Sequence, residues 1–239
     1  MQEIVLFSKL SAIQLLRYLL LSGGAYLFIF RLAPGFFKKY QIQNSEISKK
    51  QILHEIKHSL STVVIFGLIF SFFMHPKIKP LTMLYKNIND YSVWWFVLSL
   101  PIVILINDTY FYWMHRTFHH PRFYKITHQT HHVSTNPSPF ATYSFHPIEA
   151  FFEAVWIVPV VFLMPIHTTI LIVFALISFL NNLKGHLGVD LMPEKIKRAF
   201  PYKWVNTATH HSHHHKYFNS NFGLYFLFWD KLMKTERRS

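Results

Sequence analysis

Long apolar runs alternate with short polar segments along most of this chain. Five runs are candidate membrane helices, and they cover Leu10–Phe30, Leu60–Met74, Tyr91–Met114, Ile148–Met164 and Thr168–Leu183. A spanning helix needs about 20 mostly apolar residues. Only residues 165–167 separate the last two runs, which predicts a tight helical hairpin. The pattern therefore predicts an all-α, integral-membrane helical bundle with about four to five membrane helices, the last two forming the hairpin.

The composition agrees with a membrane protein and disfavours a nucleic-acid partner. The chain is 51% hydrophobic and 15% charged, whereas a soluble domain carries about 25% charged residues. Its formal net charge is +13, but the basic residues lie between the apolar runs. Membrane loops show that arrangement, whereas a nucleic-acid module has a polar chain with a basic face. The absence of cysteine excludes disulfides, Cys-ligated zinc and iron–sulfur clusters.

The lysines and arginines predict an orientation in the membrane. The loop from Arg31 to Lys57 holds six of them, residues 75–90 hold three, and the tail from Lys184 onward holds ten. Cytoplasmic loops carry the excess of such residues. We therefore expect the loop, the 115–147 segment and the tail on the cytoplasmic face, with the amino terminus outside.

Histidine follows the same division, because seven of 17 histidines lie in 115–147 and six lie in 184–239. This predicts a histidine-rich helical cap on the cytoplasmic face.

Three histidine clusters have helical spacing, with members three or four residues apart on one face. They supply eight candidate metal ligands: His115, His119, His128, His131, His132, His211, His214 and His215. Neutral imidazole suits iron, zinc, copper and nickel. A first-row ion takes about four protein ligands in a closed site and fewer in a catalytic one. Eight histidines therefore predict two ions, and the isolated His146 and His186 are candidates to complete a coordination shell.

Two other interpretations compete with this one. Residues 54–58 fit H-E-x-x-H, the pattern of zinc metalloproteases in which Glu55 would be the general base. Lys57 places a cation between the two ligands, and the pattern leaves the three clusters unexplained. A divalent-metal binding or transport protein is the other alternative. Transport requires ionisable residues inside the spanning helices, and the runs hold few apart from Arg17 and Glu153. A lipid isomerase or hydrolase on the same scaffold also stays open.

The clusters resemble the fatty acid hydroxylase superfamily, in its sterol desaturase and sterol methyl oxidase branch. The matching patterns are HRTFH at 115–119, HQTHH at 128–132 and HSHHH at 211–215. Further matches are His146-Pro147-Ile148-Glu149, Gly185-His186-Leu187-Gly188, Asn221-Phe222-Gly223 and Trp229-Asp230. The resemblance covers roughly residues 91 to 236. It implies two parts of the chain: residues 1–90, with amino-terminal membrane helices and a basic loop, and residues 91–239, a catalytic domain similar to fatty acid hydroxylases and sterol desaturases.

The resemblance implies a non-haem di-iron centre that uses O₂ to hydroxylate or desaturate C–H bonds of a sterol, fatty acyl, carotenoid or alkyl lipid. Such C–H bonds offer no acid–base handle, so a redox metal must supply the chemistry. Electrons would come from a donor such as cytochrome b5, ferredoxin or a reductase. Zinc is a possible occupant of purified protein, because it lies near the top of the affinity order.

The resemblance also implies the ligand set: His115, His119, His128, His131, His132, His146, His186, His211, His214 and His215. The additional His120, His210 and His213 leave the register open by one position. Asp108 lies seven residues before His115, and we expect it to orient a ligand through the ring N–H. The alternative for Asp108 is a polar residue at the membrane interface.

Overall fold

A computed structural model describes residues 1–43 and 47–237, so Arg238 of the basic tail lies outside the described residues. Helices make up most of the chain. Their bounds are α1 Gln2–Leu32, α2 Pro34–Phe37, α3 Lys49–Met74, α4 Val93–Phe118, α5 Pro121–Thr127, α6 Gln129–His132, α7 Pro147–Val155, α8 Ile157–Leu163, α9 Thr168–Gly185, α10 Glu194–Arg198, α11 Ala208–Tyr217 and α12 Phe228–Leu232. Two short parallel strands, β1 Leu84–Tyr85 and β2 Ile166–His167, pair with each other.

Four of the described helices are long and apolar enough to cross a membrane, namely α1, α3, α4 and α9. This confirms the predicted helical membrane bundle. The predicted loop from Arg31 to Lys57 is wrong in its second half, because α3 already begins at Lys49. Ser48 caps that helix by accepting a hydrogen bond from the Gln51 N–H at 3.2 Å. Hydropathy detects only the apolar part of a helix, whereas the backbone continues as a helix into the charged region.

The predicted hairpin consists of α7 and α8 followed by α9. Its first arm is interrupted at Trp156, between α7 and α8. Pro159 accounts for the interruption, because it lacks the N–H that would bond to the carbonyl of Val155 in a continuous helix. The turn is joined to the segment before α4 by the pairing of Leu84 with Ile166.

Aromatic side chains join the spanning helices. Tyr18 of α1 is fully buried and stacks on Tyr143, with ring centroids 5.9 Å apart. Tyr143 in turn contacts Phe66 of α3 at 5.2 Å and Phe179 of α9 at 5.0 Å. Arg17 points into this core, where it donates to the Ala175 carbonyl of α9 at 2.9 Å. The segment 139–143 is therefore held against three spanning helices.

The segments that carry the histidine clusters lie together at one end of the bundle. The connection after α1 pairs with the segment after α9, where Ile42 N donates to Gly188 O at 3.1 Å. The start of α3 reaches the same place, since Gln51 Nε2 donates to Asn136 O at 2.8 Å. Residues 119–146 and 186–237 consequently form a cap over one end of the membrane helices.

Candidate metal centre

Each histidine cluster is placed by a helix terminus. His115 lies in the last turn of α4, and His119 directly follows that helix. His120 caps α5 by accepting from Arg122 N at 3.3 Å, which reverses the chain and brings 128–132 back toward α4. Thr207 caps α11 in the same way, by accepting from His210 N at 3.4 Å.

Five imidazoles form one compact group, the five-histidine group. Its members are His115, His119, His128, His132 and His214, and their candidate ligand atoms all lie within 4.8 Å of one another. The Nε2 atoms of His115 and His128 are 2.9 Å apart. Those of His132 and His214 are 3.0 Å apart, and those of His119 and His214 are 3.1 Å apart.

Four imidazoles form a neighbouring group, the four-histidine group. Its members are His131, His186, His211 and His215, whose ligand atoms again lie within 4.8 Å of one another. His186 lies directly after α9, and its Nε2 is 3.3 Å from that of His131 and 3.2 Å from that of His211. The Nε2 atoms of His211 and His215 are 3.1 Å apart. The two groups adjoin, since the His132 and His215 rings have centroids 4.7 Å apart.

Sequence neighbours belong to different groups. His131 lies in the four-histidine group and His132 in the five-histidine group, and the same division separates His215 from His214. Consecutive residues of a helix point about 100° apart. The short helices α6 and α11 therefore each supply ligands to both groups.

Ring tautomers are set by acceptors behind the imidazoles. Five Nδ1 atoms face backbone carbonyls: His115 to Phe222 at 2.9 Å, His131 to Ser144 at 3.3 Å, His186 to Asn182 at 2.7 Å, His214 to Ser220 at 2.7 Å and His215 to Ser134 at 3.0 Å. A carbonyl only accepts hydrogen bonds, so each of these Nδ1 atoms carries the proton. Each Nε2 then presents a lone pair to the other Nε2 atoms of its group.

This donor set fits a metal ion in each group. Facing lone pairs about 3 Å apart repel one another unless a cation lies between them. Metal–imidazole bonds of 2.0–2.1 Å place adjacent ligand nitrogens about 3.0 Å apart in an octahedral shell, and the spacings here are 2.9–3.3 Å. Imidazole suits iron as well as zinc, copper and nickel. The residues therefore fit two ions. Imidazole ligands alone do not identify the metal.

Burial keeps the rings neutral, as metal ligands must be. It lowers the pKa of His186 to about 4. The same cause lowers the pKa well below the usual range for a larger set, namely His128, His131, His132, His211, His214 and His215. The neighbouring imidazoles also lower the pKa of each of these six histidines, because a charge on one ring disfavours a charge on the next.

Glu149 lies directly behind the five-histidine group, and sequence reasoning assigned it no role. Its Oε1 lies 2.5 Å from Nδ1 of His128, and both side chains are buried. Burial raises the pKa of Glu149 well above its usual range. Carboxyl groups behind metal-binding histidines fix ring orientation and raise ligand basicity. The available signal was its place in the matched element at 146–149.

Asp108 does not occupy the expected position behind a histidine. Its Oδ1 accepts from Tyr225 N at 2.8 Å and from Phe226 N at 3.1 Å. Seven helical residues correspond to a rise of about 10.5 Å, which places its carboxylate far from the His115 ring. Asp108 thus anchors the carboxy-terminal segment of the cap to α4.

Several histidines lie outside both groups. His146 caps α7, where its Nδ1 accepts from Ile148 N at 3.3 Å, and the structure does not bring it to either group. His120, His210 and His213 are also outside them. Within 210–215 the structure therefore brings His211, His214 and His215 into the two groups.

The H-E-x-x-H segment has a different environment. Glu55 is buried and accepts from Gln51 Nε2 at 2.8 Å and from Ser138 N at 3.3 Å. Among the described residues, His54 and His58 belong to neither histidine group. Glu55 thus holds the loop at 138 onto α3.

Comparisons with known proteins agree with this arrangement. The sequence model described as "Fatty acid hydroxylase" matches residues 100–235. The chain is 28% identical over 90% of its length to the Delta(7)-sterol 5(6)-desaturase ERG3B of Gibberella zeae, of which it spans 66%. It is 29% identical over 98% of its length to the Delta(7)-sterol 5(6)-desaturase erg3C of Aspergillus fumigatus, of which it spans 75%. To the human lathosterol oxidase it is 26% identical over 87% of its length, spanning 70% of that protein.

No solved structure gives a significant match. The family match covers more than half of the chain and includes every member of both histidine groups. This chain therefore belongs to the fatty acid hydroxylase family, in its sterol desaturase branch.

Proposed function

We propose that the protein is a membrane-bound di-iron oxygenase that desaturates or hydroxylates a C–H bond of a lipid with O₂ and external electrons. The observation that carries the proposal is the convergence of nine Nε2 atoms into two adjoining groups, within the segment that matches the family. Bound iron would supply the activation of O₂ and the cleavage of the C–H bond, which side chains alone do not perform.

The chain's own residues would hold and orient this centre. The backbone carbonyls of Phe222, Ser220 and Ser134 fix three of the imidazoles in the tautomer whose Nε2 is free. Glu149 fixes His128 through a carboxyl group. All four contacts come from loops of the cap or from α7, so the cap is a rigid support for ligands that stand on different helices.

Aromatic residues separate the centre from the lipid-facing surface. The Phe118 ring is 6.4 Å from His128 and 5.7 Å from Phe152 of α7, measured between centroids. Phe152 itself is exposed. We propose that the lipid substrate reaches the five-histidine group from the bilayer between α4 and α7, past these rings, which also exclude water.

A sterol is the substrate class that we propose first. Two of the relatives above are named as Delta(7)-sterol 5(6)-desaturases and the third as a lathosterol oxidase. Fatty acyl, carotenoid and alkyl lipids are the alternative substrate classes against which a sterol is to be compared. We also propose that the histidine cap faces the cytoplasm, because the basic residues of 31–57 and of the tail lie at the cap end of the bundle.

The test is a reaction with purified protein loaded with iron in lipid nanodiscs. Cytochrome b5 or ferredoxin with its reductase supplies electrons, and a Δ7-sterol, a fatty acyl lipid and a carotenoid are offered in parallel. We expect an O₂-dependent product that has lost two hydrogens or gained one oxygen, measured by mass spectrometry. Protein that holds two irons and yields no such product from any of these lipids would contradict the proposal.

The same preparation separates the two alternatives. A protease would cleave a membrane substrate and lose that activity in Glu55→Gln, whereas a transporter would carry divalent metal into vesicles in a manner dependent on His131 and His214. We expect neither activity.

A further inference from the structure

Glu153 of α7 places a carboxyl group inside the bundle without a hydrogen-bond partner. It lies one turn after Glu149, so the two side chains share one face of the helix. That face points inward, because Ala150 and Ala154 are buried whereas Phe152 is exposed. Glu153 is half-buried, and none of the residues that the structure describes forms a hydrogen bond or an ion pair with its carboxyl group. An ionisable side chain in an apolar membrane segment indicates a functional site.

Tyrosines from three other segments lie around this carboxyl group. Tyr143 ends the segment 139–143 and Tyr225 belongs to the carboxy-terminal segment of the cap. Burial raises the pKa of Tyr143 and of Tyr225, and the negative charge of Glu153 raises the pKa of each further. Tyr110 of α4 interacts with the same charge. The carboxyl group therefore lies where α4, α7 and two segments of the cap meet.

Two of these tyrosine hydroxyls donate to other acceptors. Tyr110 donates to the Phe152 carbonyl at 3.0 Å, and Tyr225 donates to Asn107 Oδ1 at 3.0 Å. A tyrosine hydroxyl has a single hydrogen to donate, so neither of them donates to Glu153. A carboxyl group that is removed from water without a donor costs free energy. A bound molecule that supplies a donor would recover it.

Glu153 lies close to the five-histidine group. Glu149 Oε1 is 2.5 Å from Nδ1 of His128, and Glu153 follows Glu149 by four residues, a rise of about 6 Å along the helix. Because α7 starts in the cap, Glu153 lies deeper in the bundle than Glu149. It is also next to Phe152, whose ring contacts Phe118 at 5.7 Å on the lipid route proposed above. A lipid that follows this route reaches Glu153.

The surroundings of the carboxyl group favour a neutral lipid with one hydroxyl. Tyr143 belongs to a buried apolar cluster that includes Phe179. Tyr225 belongs to a second such cluster, with Trp156. A carboxyl oxygen accepts a hydrogen bond whether or not the group is protonated. A phosphate or a fatty acid carboxylate would bring a second negative charge to Glu153, and a hydrocarbon chain has no donor, whereas a sterol carries one hydroxyl on a rigid apolar ring system.

We propose that Glu153 binds the hydroxyl group of a sterol substrate, with a carboxyl oxygen accepting the hydrogen bond from that hydroxyl. This inference rests on the lipid oxygenation proposed above and names the residue that selects the lipid. A hydroxyl held at Glu153 also fixes which carbons of the rigid ring system lie at the five-histidine group.

The test is sterol binding by the full-length protein, loaded with iron and kept anaerobic in nanodiscs so that no turnover occurs. A tritiated Δ7-sterol is displaced by the same unlabelled sterol or by its 3-deoxy analogue, which lacks only the hydroxyl. We expect wild type to bind the sterol at least about tenfold more tightly than the analogue, because a buried carboxyl group loses its donor. Glu153→Leu should reduce this ratio to within about twofold, whereas Glu153→Gln, whose amide oxygen also accepts, should keep most of it.

The two variants differ in their ability to accept a hydrogen bond but are similar in side-chain volume. Unchanged iron content in both shows that the cap is folded. Equal binding of sterol and analogue by wild type, or an unchanged preference in Glu153→Leu, would overturn the proposal. An unchanged preference with slower turnover in Glu153→Leu would assign Glu153 to proton transfer instead. A preference that depends on Glu153, without any oxidised product, would support this inference and contradict the oxygenase proposal alone.

Discussion

The five-histidine group and the four-histidine group adjoin each other but are held differently. The five-histidine group draws on α4, on the 128–132 turn and on α11, and a carboxyl group stands behind His128. The four-histidine group includes His186 at the end of α9, and backbone carbonyls are the acceptors behind three of its rings, those of His131, His186 and His215. In an octahedral shell the first group would leave one position free and the second would leave two.

This difference indicates that the two groups, whose histidine patterns are similar in sequence, hold their ions with different affinity. A site with more protein ligands and a carboxyl group behind one of them holds its ion more tightly. A site with fewer protein ligands and no such carboxyl group releases its ion more readily. We therefore expect the five-histidine group to retain its ion and the four-histidine group to exchange it more readily.

Removing one ligand from either group has the largest expected effect. Three consecutive histidines of α11 allow a matched comparison, because His214 and His215 belong to different groups and His213 belongs to neither. We expect His214→Ala and His215→Ala each to lose more than about 100-fold in lipid oxidation, since a lost ligand exceeds the effect of a lost supporting contact. His213→Ala should stay within about twofold. Near-normal turnover in either ligand variant would show that one ion is sufficient.

Removing the carboxyl group behind His128 should reduce the difference in metal affinity between the two groups. Glu149→Gln is expected to weaken metal binding at the five-histidine group by about 10- to 100-fold, measured by competition with a calibrated chelator. Glu153→Gln is the matched control, one turn further along α7. Equal affinities in the two variants would mean that Glu149 contributes only to packing.

Chelation should remove the two ions at different rates. We expect the ion of the four-histidine group to leave at least about tenfold faster, because its shell has one ligand fewer and no supporting carboxyl. In His131→Ala the remaining ion should be the slow one, and in His132→Ala it should be the fast one. The two groups would not differ in ion retention if wild-type protein released its ions in a single phase and both variants released theirs at the same rate.

The loop at 220–222 supports the five-histidine group. Asn221 has a φ of 59°, and the carbonyls on either side of it accept from His214 and His115. Asn221→Gly and Asn221→Val both lose the side-chain hydrogen bonds, but valine adds strain of about 1 kcal/mol at positive φ. We expect Asn221→Val to bind metal at the five-histidine group about fivefold more weakly than Asn221→Gly. Identical affinities would show that the backbone conformation there is not required.

His146 should have the smallest effect on the metals. It caps α7 and lies outside both groups, although the family resemblance suggested it as a ligand. His146→Ala should keep both ions and lose about 1 kcal/mol of the free energy of unfolding, and His146→Asn should restore stability. Loss of an ion in both variants would make His146 a ligand after all.

Much of the bundle follows from hydropathy, whereas helix ends and interruptions depend on local contacts. The start of α3 at Lys49 is set by the Ser48 cap, which lies outside the apolar run. The break at Trp156 requires Pro159, whose effect falls four residues upstream. Neither feature changes the hydrophobic pattern.

Nine of the ten predicted ligands lie in the two histidine groups, but the sequence did not indicate which group each of them joins. Helical spacing indicates His128 and His132 on one face, but which ion His131 serves depends on what packs against the other side. The contact between Glu149 and His128 joins residues 21 positions apart in sequence. Such a contact exists only once α7 is folded against the cap.

The most direct test of two ions in two groups is the metal content of three proteins. Wild type, His131→Ala and His132→Ala are purified with iron under anaerobic conditions, and iron per chain is measured by elemental analysis. The division of adjacent histidines between the groups predicts about two ions per chain in wild type and about one in each variant. One ion in wild type, or two ions in both variants, would contradict the account.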